Sequence, residues 1–420
     1  MTRIKNRTLP ALLLALALLA GCAPAQSAPG ESAPPPAASQ SSASLSVPEP
    51  EPEPTVIRLM AAGDAMSHMP ITQDAYIAAS GEYSYRHMLL DASEQLSDAD
   101  YAVGNLETPL AGGPDYSGYP VFNAPDSLAF DLKAAGFDLF TAANNHSLDQ
   151  GTSGIYRTLD VLDQAELDHV GAYRSQEERD ASSGILVADV DGVSIAFLSY
   201  TYGLNGFRLP KGEEYAVNVY NLDYYTTLSQ PDYELLQADL EAARALDADL
   251  IAVLIHWGTE YQNAPNGYQT NLAQFLVEQG ADLVLGNHPH VLQPYETLSV
   301  TGWDGQPREG FVCYSLGNFI SNQPDLEMRT TAILELELTK DPETGETDLT
   351  GVGYLPYYMI HRDDRPAGQQ RLLVNIHQAL ADQQAGGLPL SETEVQELQD
   401  ALAHCHTILG AEDDLGLSPS

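Results

Sequence analysis

The stretch LVEQGADLVLGNHPH (Leu276–His290) reads as the end of a helix, a glycine, a buried strand and then two histidines either side of a proline. Gly280 suits the left-handed position just past a helix C-terminus. The same grammar occurs earlier, in LKAAGFDLFTAANNH (Leu132–His146), which also closes on Asn-His. Two such units, with other apolar runs alternating with amphipathic stretches, predict an α/β domain built on a largely buried sheet. The expected strands are VIRLMAAG, DYAVGN, FDLFTAA, GILVAD, VSIAFLSY, DLIAVLIH, ADLVLG, GFVCYSLG and TAILELEL. Helical periodicity falls at 85–97, 127–135, 152–164, 232–246 and 268–279.

Polar residues concentrate directly after these strands. Asp64 follows VIRLMAAG, Asn105 and Glu107 follow DYAVG, and Asn144, Asn145 and His146 follow FDLFTAA. His256 and Trp257 end DLIAVLI, His288 and His290 follow ADLVLG, and Asn318 follows CYSLG. Ligands of open α/β sheets bind at the carboxyl ends of the strands, so parallel strands would gather these side chains along one rim. The inventory is carboxylates, imidazoles (His68 among them) and an amide, without a serine or cysteine elbow. Mixed oxygen and nitrogen donors suit Mn, Zn or Fe. A carboxylate bridging two such ions would make a two-metal hydrolytic centre that activates water and neutralises phosphate charge. Glu260 and Tyr261, in HWGTEY, are placed to orient ligands or substrate, and Trp257 to exclude water. Asp149 is expected to cap the following helix.

Charge sharpens this reading. The 420 residues carry 59 acids and 18 bases. Three of those bases precede Gly21, leaving 15 against 59, or −44, in the remainder. Such a field repels nucleic acid and anionic membrane, and any polyanionic substrate unless metal ions reverse the sign locally.

The chain opens MTRIKNRTLPALLLALALLAGC, a basic segment, a short apolar core and small residues before Cys22. This is the pattern of a lipoprotein signal over 1–21, with Cys22 the acylated residue and a lipid-anchored, extracytoplasmic protein the consequence. The Pro-, Ala- and Ser-rich residues up to 54 read as a disordered tether. Cys313 and Cys405 are then core thiols, and the His404–His406 triplet cannot converge on one ion. His87, His169, His361 and His377 lack strand-end positions and are read as structural. The main domain is expected over 55–340, and 341–420 as a C-terminal extension with a hairpin turning at Thr344-Gly345 and helices near 369–383 and 391–408.

Six ordered motifs carry a resemblance to the CapA family of capsule and poly-γ-glutamate biosynthesis proteins, whose fold belongs to the calcineurin-like metallophosphatase superfamily. They are GDAM (63–66), NLETPL (105–110), ANNHSLDQG (143–151), HWGTEY (256–261), GNHPHVLQP (286–294) and YSLGNFISNQ (314–323). The resemblance implies a sandwich of mixed β-sheets flanked by helices, holding two divalent ions. It makes Asp64, Asn145, His256, His288 and His290 metal ligands, Glu107 the bridging carboxylate and His146 the acid that protonates a leaving group. The superfamily has histidine two residues after the first aspartate. Met66 stands there in this chain, which leaves His68 as a substitute ligand or that metal position weak.

The implied role is synthesis or export of a cell-surface polymer, with hydrolysis of a phosphoester or related bond. A non-catalytic subunit of a membrane polymer-synthesis complex, binding an anionic polymer, is the alternative. A solute-binding lipoprotein is a weaker third.

Overall fold

The computed structural model describes residues 52–417, so Cys22, the signal pattern and nearly all of the tether lie outside the described residues. The first described element is β1 (Thr55–Ala65), which falls where the apolar pattern begins. A short hairpin, β2 (Tyr76–Ile77) and β3 (Glu82–Tyr83), precedes β4 (Tyr101–Leu106), β5 (Leu139–Thr141) and β6 (Asp168–Val170). A second group follows: β7 (Leu186–Val190), β8 (Val193–Thr201), β9 (Leu250–His256), β10 (Leu283–Asn287), β11 (Leu292–Thr301) and β12 (Pro307–Leu316). The last strands are β13 (Asn318–Ile320), β14 (Thr330–Lys340), β15 (Thr347–His361) and β16 (Arg371–Asn375).

They form two mixed sheets packed face to face. The first has the order β16-β15-β14-β1-β4-β5-β6, with β13 also paired to β1; the second has the order β11-β12-β10-β9-β8-β7. Within the first, β1, β4, β5 and β6 are parallel; within the second, β8, β9, β10 and β12 are. Parallel strands need crossovers, and the helices that supply them cover the outer faces. Helices Arg86–Leu96, Ser127–Ala134 and Gly151–Gln164 pack on the first sheet, and Tyr233–Arg244 and Gly267–Glu278 on the second.

The central layer is the alternate residues of both sheets: Ile57, Leu59, Val103 and Leu139 from one against Ile195, Phe197, Leu254 and Leu285 from the other. The period of two puts these side chains inside and leaves their neighbours to meet the helices. Cys313 belongs to this layer and Cys405 to a small cluster near the C-terminus; both are free thiols.

One feature of the topology decides where the site can form. The chain leaves the second sheet at the end of β12 and enters the first as β13, with only Gly317 between them. Gly317 has φ +70°, and its carbonyl accepts from Asp64 N at 2.9 Å. A side chain on Gly63 would lie 1.9 Å from that same carbonyl oxygen. The two sheets are therefore pinned together at the carboxyl ends of β1, β4, β9 and β10.

One expectation changes. Residues 369–383 are not one helix: 371–375 form the edge strand β16 and the helix is Ile376–Ala385. Strand β11 gave no apolar run because, past the pair Leu292–Gln293, most of it is a part-exposed edge carrying Pro294. Strands β15 and β16 also extend the first sheet, so residues past 340 share its hydrogen bonding.

Phe197 is fully buried and its ring stacks on Tyr101 across the layer at 5.6 Å. Phe197→Ala is expected to destabilise the protein by about 3–5 kcal/mol. Urea unfolding checks this: the midpoint should fall at unchanged slope.

Candidate metal centre

The site is built from the ends of five parallel strands, as the spacing of polar residues predicts. Asp64 closes β1, where it is paired in register with Asn105 of β4 and Asn318 of β13. Asn105 Nδ2 donates to Asp64 Oδ1 at 2.7 Å and lies 3.3 Å from His256 Nδ1. Asn144 Nδ2 in turn donates to Asn105 Oδ1 (3.2 Å) and to the Leu106 carbonyl (2.8 Å). This amide chain fixes the first carboxylate and the last residue of β9 in one frame.

His288 and His290 stand on a turn held open by its backbone. Both have positive φ, +101° and +60°, a conformation that costs a non-glycine residue energy and persists where the surroundings impose it. Gly286 is required just before them, since a Cβ there would lie 2.2 Å from the Tyr314 carbonyl oxygen. The turn is anchored by His288 N, 3.3 Å from Asp64 Oδ2, and by Asn318 Nδ2, which donates to the His290 carbonyl at 3.1 Å. His290 Nδ1 is 3.1 Å from Asn318 Oδ1 and 3.2 Å from Asp64 Oδ2. Those contacts leave Nε2 facing Glu107, 3.9 Å from Oε1.

Glu107 is the central group. It is wholly buried, yet neither of its carboxyl oxygens has a hydrogen-bond partner, and His256 Nε2 stands 3.4 Å from Oε1. His288 Nδ1 is likewise buried without a partner. Buried polar atoms are ordinarily paired, and an unpaired buried carboxyl among imidazoles is a donor set that fits a divalent cation. Among the described residues, three groups bring ligand atoms within 4.8 Å of one another: Glu107 with His256 and His288, Asp64 with Glu107 and His290, and Glu260 with His288 and His290. Glu107 is common to the first two. Asn145 Oδ1 lies 3.0 Å from His256 Nε2 and so borders the first.

The electrostatics agree with the donor set. Burial, then the charge of Asp64, pushes the Glu107 carboxyl well above the usual glutamate range. Burial would raise Asp64 too, but its hydrogen bond to His290 and the charge there, with a further hydrogen bond from Asn105, leave it below the usual range. Burial lowers His256 to about 3, and lowers His288 far below the ordinary imidazole value with help from neighbouring His256. Both imidazoles are therefore neutral, the state that binds metal.

His146 stands apart from the three groups. Its Nδ1 is 2.8 Å from Asp149 Oδ2, which also accepts from Phe122 N at 2.7 Å, and Phe122 packs edge-on against its ring at 4.7 Å. Asp149 is thus the partner of His146 and not a helix cap; the cap position of the next helix is Gln150, without a side-chain bond. Trp257 also departs from expectation. Its indole Nε1 donates to the Tyr314 carbonyl at 2.9 Å and its ring stacks on Tyr314 beneath the outer helices. Its neighbour His256 faces the site, and adjacent residues along a strand take opposite faces.

His68 belongs to none of the three groups. It packs edge-on against Phe122 at 5.1 Å, its Nδ1 lies 3.4 Å from Asn322 N, and burial lowers its pKa to about 4. Met66 is buried. Glu260 borders the cleft in front of the site, and Tyr261 lies beside it, its ring 6.1 Å from His290. Tyr202 and Asn205 have no sequence signal. Tyr202 packs on the His288 ring at 4.6 Å, and Asn205 Oδ1 accepts from Asn145 Nδ2 at 3.1 Å while its own amide lies 3.4 Å from His146.

The fold is an α/β sandwich in which a buried carboxyl, at the carboxyl ends of parallel strands, is common to two histidine-bearing groups that could each hold a divalent cation. The chain belongs to the bacterial capsule synthesis protein PGA_cap family, whose model matches residues 58–323. It is 31% identical over 264 residues to the capsule biosynthesis protein CapA of Bacillus anthracis, covering 61% of this chain and 58% of that one. It is 32% identical over 259 residues to the PGA biosynthesis protein CapA of Bacillus subtilis strain 168, covering 60% and 61% respectively. The chain thus matches about three-fifths of the length of each relative. Among solved structures, a phosphatase from Mycoplasma pneumoniae overlays with a TM-score of 0.39 at 14% identity, covering 72% of this chain and 94% of its own. The calcineurin-like phosphoesterase YfkN of Bacillus subtilis gives 0.37 at 12%, covering 84% and 98%. Overlays this loose carry no argument about chemistry.

Because the folded value of Glu107 is raised, its contribution to stability is fully present below the ordinary glutamate range and lost as pH rises through the folded value. Glu107→Gln should therefore stabilise the metal-free protein at pH 8 by about 1–3 kcal/mol. In wild type, Mn²⁺ at a hundred times its Kd should add about 2.7 kcal/mol. Thermal unfolding with and without chelator reads both; Glu107→Gln should lose the metal increment and His68→Ala should keep it.

Proposed function

We propose that this protein is a metal-dependent hydrolase acting on a phosphoester or related bond, working outside the cytoplasm on a cell-surface polymer or its precursor. The observation that carries the reading is the buried Glu107 carboxyl, without hydrogen bonds and shared between His256–His288 and Asp64–His290. Asp64, Glu107, His256, His288 and His290 would hold two divalent ions, Mn, Zn or Fe, with Asn145 beside the first. When bound, such ions lower the pKa of water and neutralise charge on a phosphoryl oxygen.

The remaining work falls to the chain itself. Asp149 holds Nδ1 of His146, which fixes the ring and leaves Nε2 to give a proton to the departing oxygen. Asn205 spans Asn145 and His146 and so ties the ligand side of the site to the proton-donor side. Phe122 and Tyr202 pack against the imidazoles and restrict water. The net negative charge of the chain would repel an anionic substrate elsewhere on the surface, so attraction is confined to the ions.

The lipoprotein pattern around Cys22 supports a lipid anchor at the outer face of a membrane, and the names of the relatives support a part in capsule or PGA biosynthesis; export of the polymer and a membrane polymer-synthesis complex as partner belong to the same proposal. No helix among the described residues is long and apolar enough to cross a membrane. Met66 in place of histidine favours the second reading, a metal-stabilised accessory protein that binds polymer without cleaving it.

A screen of metal-loaded protein against phosphomonoesters, phosphodiesters and γ-glutamyl bonds separates these readings. Turnover is expected, with His146→Ala losing about 10²–10⁴-fold in kcat at unchanged metal content. Asp149→Asn should lose less and shift the pH profile. Bound metal with every substrate intact would support the accessory reading instead. For the anchor, Cys22→Ala should move the protein from the membrane fraction to the soluble one.

A further inference from the structure

The cleft in front of the metal centre has a composition that bears on what enters it. It encloses about 560 Å³ and is bordered by Asn145 and His146 on the site side. Its outer wall carries Tyr119, Phe207, Tyr224 and Leu228, with Tyr202 and Asn205 nearer the ligands. None of the lining residues among those described is lysine or arginine, and Glu260 is its one carboxylate. The nearby guanidinium of Arg208 lies over the Tyr225 ring at 4.5 Å. Tyr119 and Phe207 expose 76% and 43% of their surface and so offer ring faces to the cleft. Tyr224 packs one side against the core, while its hydroxyl accepts from Leu209 N at 3.2 Å and its ring meets Tyr225 edge-on at 5.2 Å. Asn205 (φ +50°) and Gly206 (φ +78°) turn the chain so that Phe207 reaches the same wall.

A polyanion laid in this cleft would meet aromatic faces and a carboxylate, with no cationic side chain among the lining residues to pair its charges. Each unpaired anionic group would be desolvated without compensation. An uncharged ring loses nothing there and gains stacking on the exposed aromatics. We infer that the cleft takes an uncharged, ring-bearing group linked to a single phosphoryl centre at the metals, and that it rejects a polyanionic chain such as polyglutamate. The inference rests on the metal-centre reading and narrows its substrate to the leaving or retained group that Tyr119, Phe207 and Tyr224 would cover.

Calorimetric titration of the full-length, Mn²⁺-loaded protein with phenylphosphonate, methylphosphonate and γ-linked hexaglutamate tests this without requiring turnover. Phenylphosphonate should bind about tenfold more tightly than methylphosphonate, the scale expected from covering one ring face. Hexaglutamate should not displace it. The double variant Tyr119→Ala, Phe207→Ala should remove the preference for the phenyl ring while leaving methylphosphonate affinity unchanged. Metal-dependent binding of both phosphonates with equal affinity, or tighter binding of hexaglutamate, would overturn the inference and leave the metal centre standing. Absence of any metal-dependent phosphonate binding would overturn the metal-centre reading and this inference together.

Discussion

Two carboxyl groups, Asp64 and Glu107, are buried side by side where two sheets meet, and the cost of keeping them there shapes the rest of the structure. One is compensated within the protein: Asp64 accepts from Asn105 and contacts His288 N and His290. The other is not, since no group donates a hydrogen bond to either oxygen of Glu107, and burial beside Asp64 pushes its carboxyl well above the usual glutamate range. An arrangement of this kind persists where the scaffold is stiff enough to hold it, and a ligand that bound there would stabilise the fold. The stiffness comes from the single-residue crossing at Gly317, which lets β12 run into β13 and brings Gly63 against its carbonyl. The same join fixes the positive-φ turn bearing His288 and His290, through Asn318.

Much of this could be read in the sequence because period-two apolar runs ending in polar residues mark both the strand and its chemically active end. That rule places Asp64, Asn105, Glu107, Asn144, Asn145, His146, His256, His288, His290 and Asn318 at strand ends, where the structure has them, while the choice of ligands among them comes from the family resemblance. What could not be read depends on which face a side chain takes or on contacts made far along the chain. Asp149 looked like a cap because it precedes a helix; the actual partner, His146, is reached because the turn folds back by three residues. Trp257 follows a ligand in sequence and points away from it. Tyr202 and Asn205 sit in a segment with no periodicity, and β11 and β16 are edge strands whose mixed polarity hides them.

The charge of the chain and the lining of its cleft fit one picture. A strongly acidic protein gains nothing from long-range attraction to an anionic polymer, and its cleft supplies no basic side chain for one. Positive charge would be confined to the ions between Glu107 and the histidines, which makes metal binding a condition for substrate binding. His146, held from behind by Asp149, then stands on the cleft side of that centre, where a leaving group would depart.

The central claim is that Glu107 is shared by two divalent ions. Anomalous diffraction from crystals grown with Mn²⁺, recorded at the manganese edge, tests it most directly. The account predicts two peaks flanking the Glu107 carboxyl, one beside His256 and His288 and the other beside Asp64 and His290. A map with no peak at Glu107, from crystals in which Mn²⁺ is bound elsewhere or not at all, would contradict it.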